Sequence, residues 1–157
     1  MKILITNSPL HYTHGHTFTQ QDWQTLVLPT LAGIIGPMHD IRLVDNMTGI
    51  FRAHRIMEEI QSFGPEVIAF SIIAGRDLYN TLEVITNVRR AHPRKWIIAG
   101  GQGASFYDKQ LLAAGVDVVV RGEGETSLPL LIEAIDGQRR FTKALDNVGG
   151  ISFLKHG

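Results

Sequence analysis

The sequence predicts an α/β domain built on a doubly wound parallel sheet. Two observations carry this reading. Short, nearly continuous apolar runs alternate with segments of helical periodicity along 157 residues, the pattern of buried parallel strands joined by crossover helices. Two of the runs end in glycine-rich turns, Trp96-Ile97-Ile98-Ala99-Gly100-Gly101-Gln102-Gly103 and Val118-Val119-Val120-Arg121-Gly122-Glu123-Gly124-Glu125. Glycines directly after a buried strand let the backbone turn sharply and approach a ligand closely.

Residues 2–7 read as the first strand, and residues 8–19 as a polar loop holding His11, His14 and His16. Residues 20–35 have helical spacing, with Trp23, Leu26, Val27, Thr30, Leu31 and Ile34 on one side. Pro29 inside that segment predicts a kink or a late helix start. Residues 40–45 form strand two, followed by the turn Asn46-Met47-Thr48-Gly49. Residues 55–63 place Ile56, Ile60 and Phe63 on one helical face, and Gly64-Pro65 stops them. Residues 67–73 are apolar apart from Ser71, which predicts a central strand. A third helix covers 78–91, with Leu82, Ile85 and Val88 inward and His92-Pro93 as its stop. Strand four is 96–99, and a fourth helix over 105–114 is expected to be capped by Ser105. Strand five is 116–120, and helix five is 126–135 with Leu128, Leu131, Ile132 and Ile135 inward. Residues 137–157 form a polar connector and a possible short extra C-terminal strand at 151–154, so the domain proper ends near residue 136. Strict alternation favours a flavodoxin-like strand order, 2-1-3-4-5.

Composition narrows the function. Hydrophobic residues are 44% and charged residues 19% of the chain, which is globular. Lys plus Arg and Asp plus Glu are 15 each, so charge offers no argument for nucleic acid or anionic membrane. The absence of cysteine excludes a disulfide framework, a thiolate zinc site and a cysteine-held iron–sulfur cluster within these residues. The apolar start is too short for a signal peptide, and no apolar run reaches membrane-spanning length. A cytoplasmic location is the expectation.

Ligands of such sheets bind outside the carboxyl ends of the strands. The candidate site is therefore the set of turns there: Asn46 with Met47, Thr48 and Gly49; Ser71 with Ile72 and Ile73; Gly100, Gly101, Gln102 and Gly103; and Gly122, Glu123, Gly124 and Glu125. Glycines after strands also make ordinary tight turns. Two carboxylates among the last set repel phosphate and suit hydroxyl or amide groups, or they complement the dipole of helix five. No Gly-Lys-Ser/Thr follows either turn, and the first strand runs into Ser8-Pro9 rather than glycines, so neither a P-loop nor a dinucleotide fingerprint is present. Thr6-Asn7-Ser8 lacks the acid cluster of a phosphoreceiver. His14-Gly15-His16 has no carboxylate or third ligand beside it, and reads as part of a loop over the ligand rather than a metal site. No catalytic set is assigned.

Several of these segments together resemble the N-terminal cobalamin-binding domain of cobalamin-dependent radical S-adenosylmethionine enzymes. They are Leu28-Pro29-Thr30-Leu31-Ala32-Gly33, Val44-Asp45-Asn46, Ala69-Phe70-Ser71, Ile97-Ile98-Ala99-Gly100-Gly101, Val119-Val120-Arg121-Gly122-Glu123-Gly124-Glu125 and Gly150-Ile151-Ser152-Phe153. The resemblance implies cobalamin over the carboxyl edge. Its dimethylbenzimidazole tail would enter between Ser71, Gly100, Gly101 and the 122–125 turn, with the glycines, Gly101 included, leaving room for it. The wider family often carries a cobalt-ligating histidine in the loop after strand two. Residues 45–49 contain none, which resembles the radical enzymes. S-adenosylmethionine and a 4Fe-4S cluster would belong to a downstream radical domain, the implied partner, in which methyl transfer from methylcobalamin is the usual reaction. The alternative is a standalone flavodoxin-like module for a flavin or other nucleotide, for which Ser8 and Tyr12 offer some contacts.

Overall fold

The computed structural model describes residues 1–8, 26–46, 53–73, 78–138 and 143–155. The elements in order are β1 (Lys2–Asn7), α1 (Val27–Ile35), β2 (Asp40–Val44), α2 (Ala53–Phe63), β3 (Val67–Ser71), α3 (Leu78–Ala91), β4 (Trp96–Gly100), α4 (Gln102–Phe106), α5 (Asp108–Ala113), β5 (Val118–Val120), α6 (Gly124–Ile135), a 3₁₀ turn (Lys143–Asn147) and β6 (Ile151–Phe153). The sheet order is β2-β1-β3-β4-β5-β6. The first five strands are parallel, and β6 joins β5 antiparallel, pairing Val119 with Ser152. The expected order is therefore observed, and the extra C-terminal strand is real.

Alternation along the strands splits the core into two layers. Leu4, Ile68, Phe70, Ile97 and Val119 face α2, α3 and α5, where they meet Ile56, Ile60, Ile85, Val88 and Leu111. Ile3, Ile5, Val67, Ile98 and Val118 face α1 and α6, where they meet Leu28, Leu128, Leu131 and Ile132. Strands β1, β3 and β4 are covered on both faces, which is why they read as unbroken apolar runs.

Two expectations are corrected. The inward side of α1 is Leu28, with Leu31, Ala32 and Ile35 partly buried beside it. Leu26 and Val27 are 77% and 46% exposed, and Ile34 also faces outward. The helix is apolar on nearly every side, so periodicity could not choose its face. It begins at Val27, which puts Pro29 in the first turn, where its missing N–H costs nothing. The single helix expected over 105–114 is instead two short helices that meet at Tyr107. Gly101 precedes the first of them, and Ser105 lies inside it rather than at its cap.

Candidate functional site

A cavity of about 560 Å³ opens at the carboxyl edge, on the face covered by α1 and α6. Cofactor sites span roughly 300–1,000 Å³. The strands explain the opening. On this face β3 presents Val67, Ala69 and Ser71 in turn, and β4 presents Trp96, Ile98 and Gly100. Side-chain bulk falls toward the carboxyl ends, so helices seated on the large residues stand clear of the small ones. Ile5, Ala69 and Ile98 are register neighbours and form the floor. Leu31 of α1 and Leu128 of α6 close over it. The polar lining side chains are Ser71, Gln102, Ser105, Glu123 and Glu125, all at the carboxyl edge.

The lining glycines have different reasons to be glycine. A Cβ on Gly100 would sit 3.6 Å from Val120 Cβ, and one on Gly124 would sit 3.5 Å from Leu31 Cδ2. Both are ordinary contacts, so either position accepts a side chain at the expense of the cavity. Gly101 has φ +96°, and its Cβ would lie 2.7 Å from the Ile72 carbonyl oxygen. Ile72 N–H donates to Gly100 O at 2.8 Å, and Gly103 N–H donates to Ile72 O at 2.9 Å. Gly101 thus lets the ends of β3 and β4 approach one another, a backbone demand separate from room for a ligand. Ser105 Oγ accepts from Gly122 N–H at 3.2 Å and donates to Gly101 O at 3.4 Å, which ties the two glycine turns together.

Of the residues singled out from the sequence, Ser71, Gly100, Gly101, Gln102, Gly122, Glu123, Gly124 and Glu125 line this cavity. Gly103 is buried within α4 and outside the lining. Ile72 is buried in the opposite core layer and reaches the site only through its backbone. Ile73 is 44% exposed outside the cavity. Met47, Thr48 and Gly49, and the His14 and His16 loop, lie outside the described residues. Sequence reading missed Leu31, Ser105, Phe106 and Leu128 as site residues. The falling size of alternate residues in β3 and β4 was the signal that could have pointed to them.

Asn46 does not line the cavity; it belongs to a buried polar network under the ends of β1 and β2. Its N–H donates to Asn7 Oδ1 at 2.6 Å, and its Nδ2 donates to Thr6 Oγ1 at 2.8 Å and Asn7 O at 2.9 Å. Asn7 Nδ2 donates to Asp45 Oδ1 at 2.6 Å. Asn46 Oδ1 has no partner among the described residues. The network fixes where the chain leaves β2.

Glu123 precedes α6 without a side-chain cap bond, and Glu125 lies in its first turn, where negative charge complements the helix dipole. The shifted titrations lie at the opposite, amino edge of the sheet. Burial, then the charge of Lys95, lowers the His92 pKa below its ordinary value. Burial lowers that of Lys95, against the attraction of Glu66. Among the described residues there is no cluster of metal-binding side chains and no helix long and apolar enough to cross a membrane.

An apolar slot at the carboxyl edge of a parallel sheet is where domains of this architecture bind their ligands. The B12 binding domain family matches residues 18–132, and the chain belongs to that family. Hopanoid C-3 methylase of Methylococcus capsulatus is 32% identical over 142 residues, which cover 86% of this chain and 26% of that protein. Anaerobic magnesium-protoporphyrin IX monomethyl ester cyclase of Rubrivivax gelatinosus is 27% identical over 147 residues, 91% of this chain and 26% of that protein. The chain thus spans 26% of the length of either relative. The isolated REC domain of RcsB from Salmonella enterica serovar Typhimurium superposes with a TM-score of 0.58 at 13% identity, covering 94% of this chain and 96% of that one. That likeness is one of fold alone.

Proposed function

We propose that this chain holds cobalamin for a larger radical S-adenosylmethionine enzyme, with the nucleotide tail of the cofactor in the cavity beneath α1 and α6. The observation that carries the reading is the cavity itself. Its floor is hydrocarbon, and Gly100 and Gly124 keep free the space that a Cβ would fill. Ala69, Ile98 and Leu128 would enclose an apolar ring, while Ser71 and Ser105 would meet the sugar. Glu123 and Glu125 are exposed; they suit ribose hydroxyls, and solvent screens their repulsion of the phosphodiester.

Bound methylcobalamin would supply a methyl group to a substrate held by the rest of the enzyme. S-adenosylmethionine and a 4Fe-4S cluster belong to that remainder, because this chain has no cysteine to hold a cluster. The relatives named above are a methylase and a cyclase, so methyl transfer is one of two reaction types consistent with this module.

The test is titration of the 157-residue chain with hydroxocobalamin, followed by electron paramagnetic resonance of the reduced cobalt(II) state. With the tail held in the cavity away from cobalt and no histidine in residues 45–49, the expected signal lacks nitrogen superhyperfine splitting. Splitting from a lower nitrogen ligand would refute the histidine-free, base-off binding mode. A yellow flavin complex in place of a red or orange corrinoid complex would refute the cofactor.

A further inference from the structure

We infer that the cavity selects cobamides by the terminal ring of their tail, accepting a hydrocarbon-edged ring and discriminating against a purine. This rests on the reading that a corrinoid tail enters the cavity.

The distribution of polar atoms carries the inference. The floor residues Ile5, Ala69 and Ile98 and the covering Leu31 and Leu128 offer only hydrocarbon side chains. The strands beneath are paired on both sides, β3 with β1 and β4, and β4 with β3 and β5. Their backbone N–H and C=O groups are therefore already committed to the ladder. The polar side chains of the lining all stand at the carboxyl edge: Ser71 ends β3, Gln102 and Ser105 lie on α4, Glu123 precedes α6 and Glu125 lies in its first turn. Dimethylbenzimidazole and adenine share an imidazole portion and differ in the six-membered ring. One carries methyl groups there; the other carries two ring nitrogens and an amine. An adenine in this slot would leave those groups without partners, and buried unmet polar groups are expensive. A cresol ring meets the floor as dimethylbenzimidazole does.

Equilibrium dialysis of the 157-residue chain against four corrinoids tests this. They are cobalamin, the adenine-tailed cobamide, the cresol-tailed cobamide and tailless cobinamide. The adenine form is expected to bind about 10–100-fold more weakly than cobalamin, and the cresol form within about threefold. Cobinamide is expected to lose at least about tenfold. Ala69→Ser places a hydroxyl on the floor and should narrow the gap between adenine and dimethylbenzimidazole; the near-isosteric Val120→Thr is the second variant if the first folds poorly. Equal affinity for cobalamin and the adenine form would overturn the selectivity while leaving the cofactor assignment standing. So would cobinamide binding as tightly as cobalamin. If no corrinoid binds, the cofactor assignment itself falls.

Discussion

Gly100 and Gly101 are adjacent, yet the structure assigns them opposite consequences on substitution. A Cβ at Gly100 meets Val120 Cβ at 3.6 Å and Val120 O at 3.8 Å, and the residue ends β4. Gly100→Val should therefore fold, since valine suits a strand better than glycine does. Its side chain projects into the cavity face, where it must overlap an occupant. Overpacking of a filled site costs about 1–3 kcal/mol, which is about 5- to 150-fold in cobalamin Kd. Gly101→Val meets a different obstacle. Its φ of +96° strains any L side chain, and its Cβ would fall 2.7 Å from the Ile72 carbonyl oxygen, which is backbone and already bonded to Gly103 N–H. Positive φ costs about 1–3 kcal/mol and the overlap about as much again. At roughly 2–4 °C per kcal/mol for a chain of this size, Tm should drop on the order of 10 °C. Thermal melting and cobalamin titration on both variants give a double dissociation. A Gly100→Val protein that is folded and binds normally would refute entry of the tail at the end of β4. A Gly101→Val protein that melts like the parent would refute the close approach of β3 and β4.

Other expectations follow from the same geometry. Gly124→Ala adds a methyl to the first turn of α6 at 3.5 Å from Leu31 Cδ2; it should raise stability by about 0.5–1 kcal/mol in denaturant melts while weakening cobalamin binding, and tighter binding would contradict the cavity assignment. The lowered pKa of His92 means that the unfolded chain takes up this proton first. Its contribution to stability is thus complete above its ordinary pKa and lost as pH falls through that value toward the folded one. His92→Gln should flatten this part of a stability–pH curve, and an unchanged slope would show that other groups set it. Replacing His14 and His16 together by Ala should leave zinc and iron content unchanged by elemental analysis; a stoichiometric metal lost in the double variant would make that loop a metal site.

Strand positions were legible because burial on both faces forces a continuous apolar run, as at Ile3–Ile5, 67–70 and 96–99. The antiparallel β6 was foreseeable from Ile151-Ser152-Phe153, although its direction was not. The face of α1 was illegible for the converse reason. Val27, Leu28, Leu31, Ile34 and Ile35 surround the helix, and an apolar pattern on all sides carries no direction. The break at Tyr107 was hidden too, because residues 105–114 contain no glycine or proline to mark it.

At the site, the amino-acid sequence by itself determined the edge of the sheet and the turns that meet there, because glycine after a buried strand is a local signal. It also carried a resemblance to cobalamin-binding domains, in the segments 28–33, 97–101 and 119–125. Only the tertiary structure decided which side of the sheet opens, and which glycines answer to a ligand and which to the backbone. Ile72 and Ser71 are neighbours in the chain, yet the pleat sends them to opposite core layers. Gly100 and Gly101 are indistinguishable as letters, but one faces an open cavity and the other the carbonyl oxygen of Ile72, just beyond β3. The two glycines' roles depend on contacts with Val120 and Ile72, about twenty and thirty residues away in the chain, and no local pattern records them.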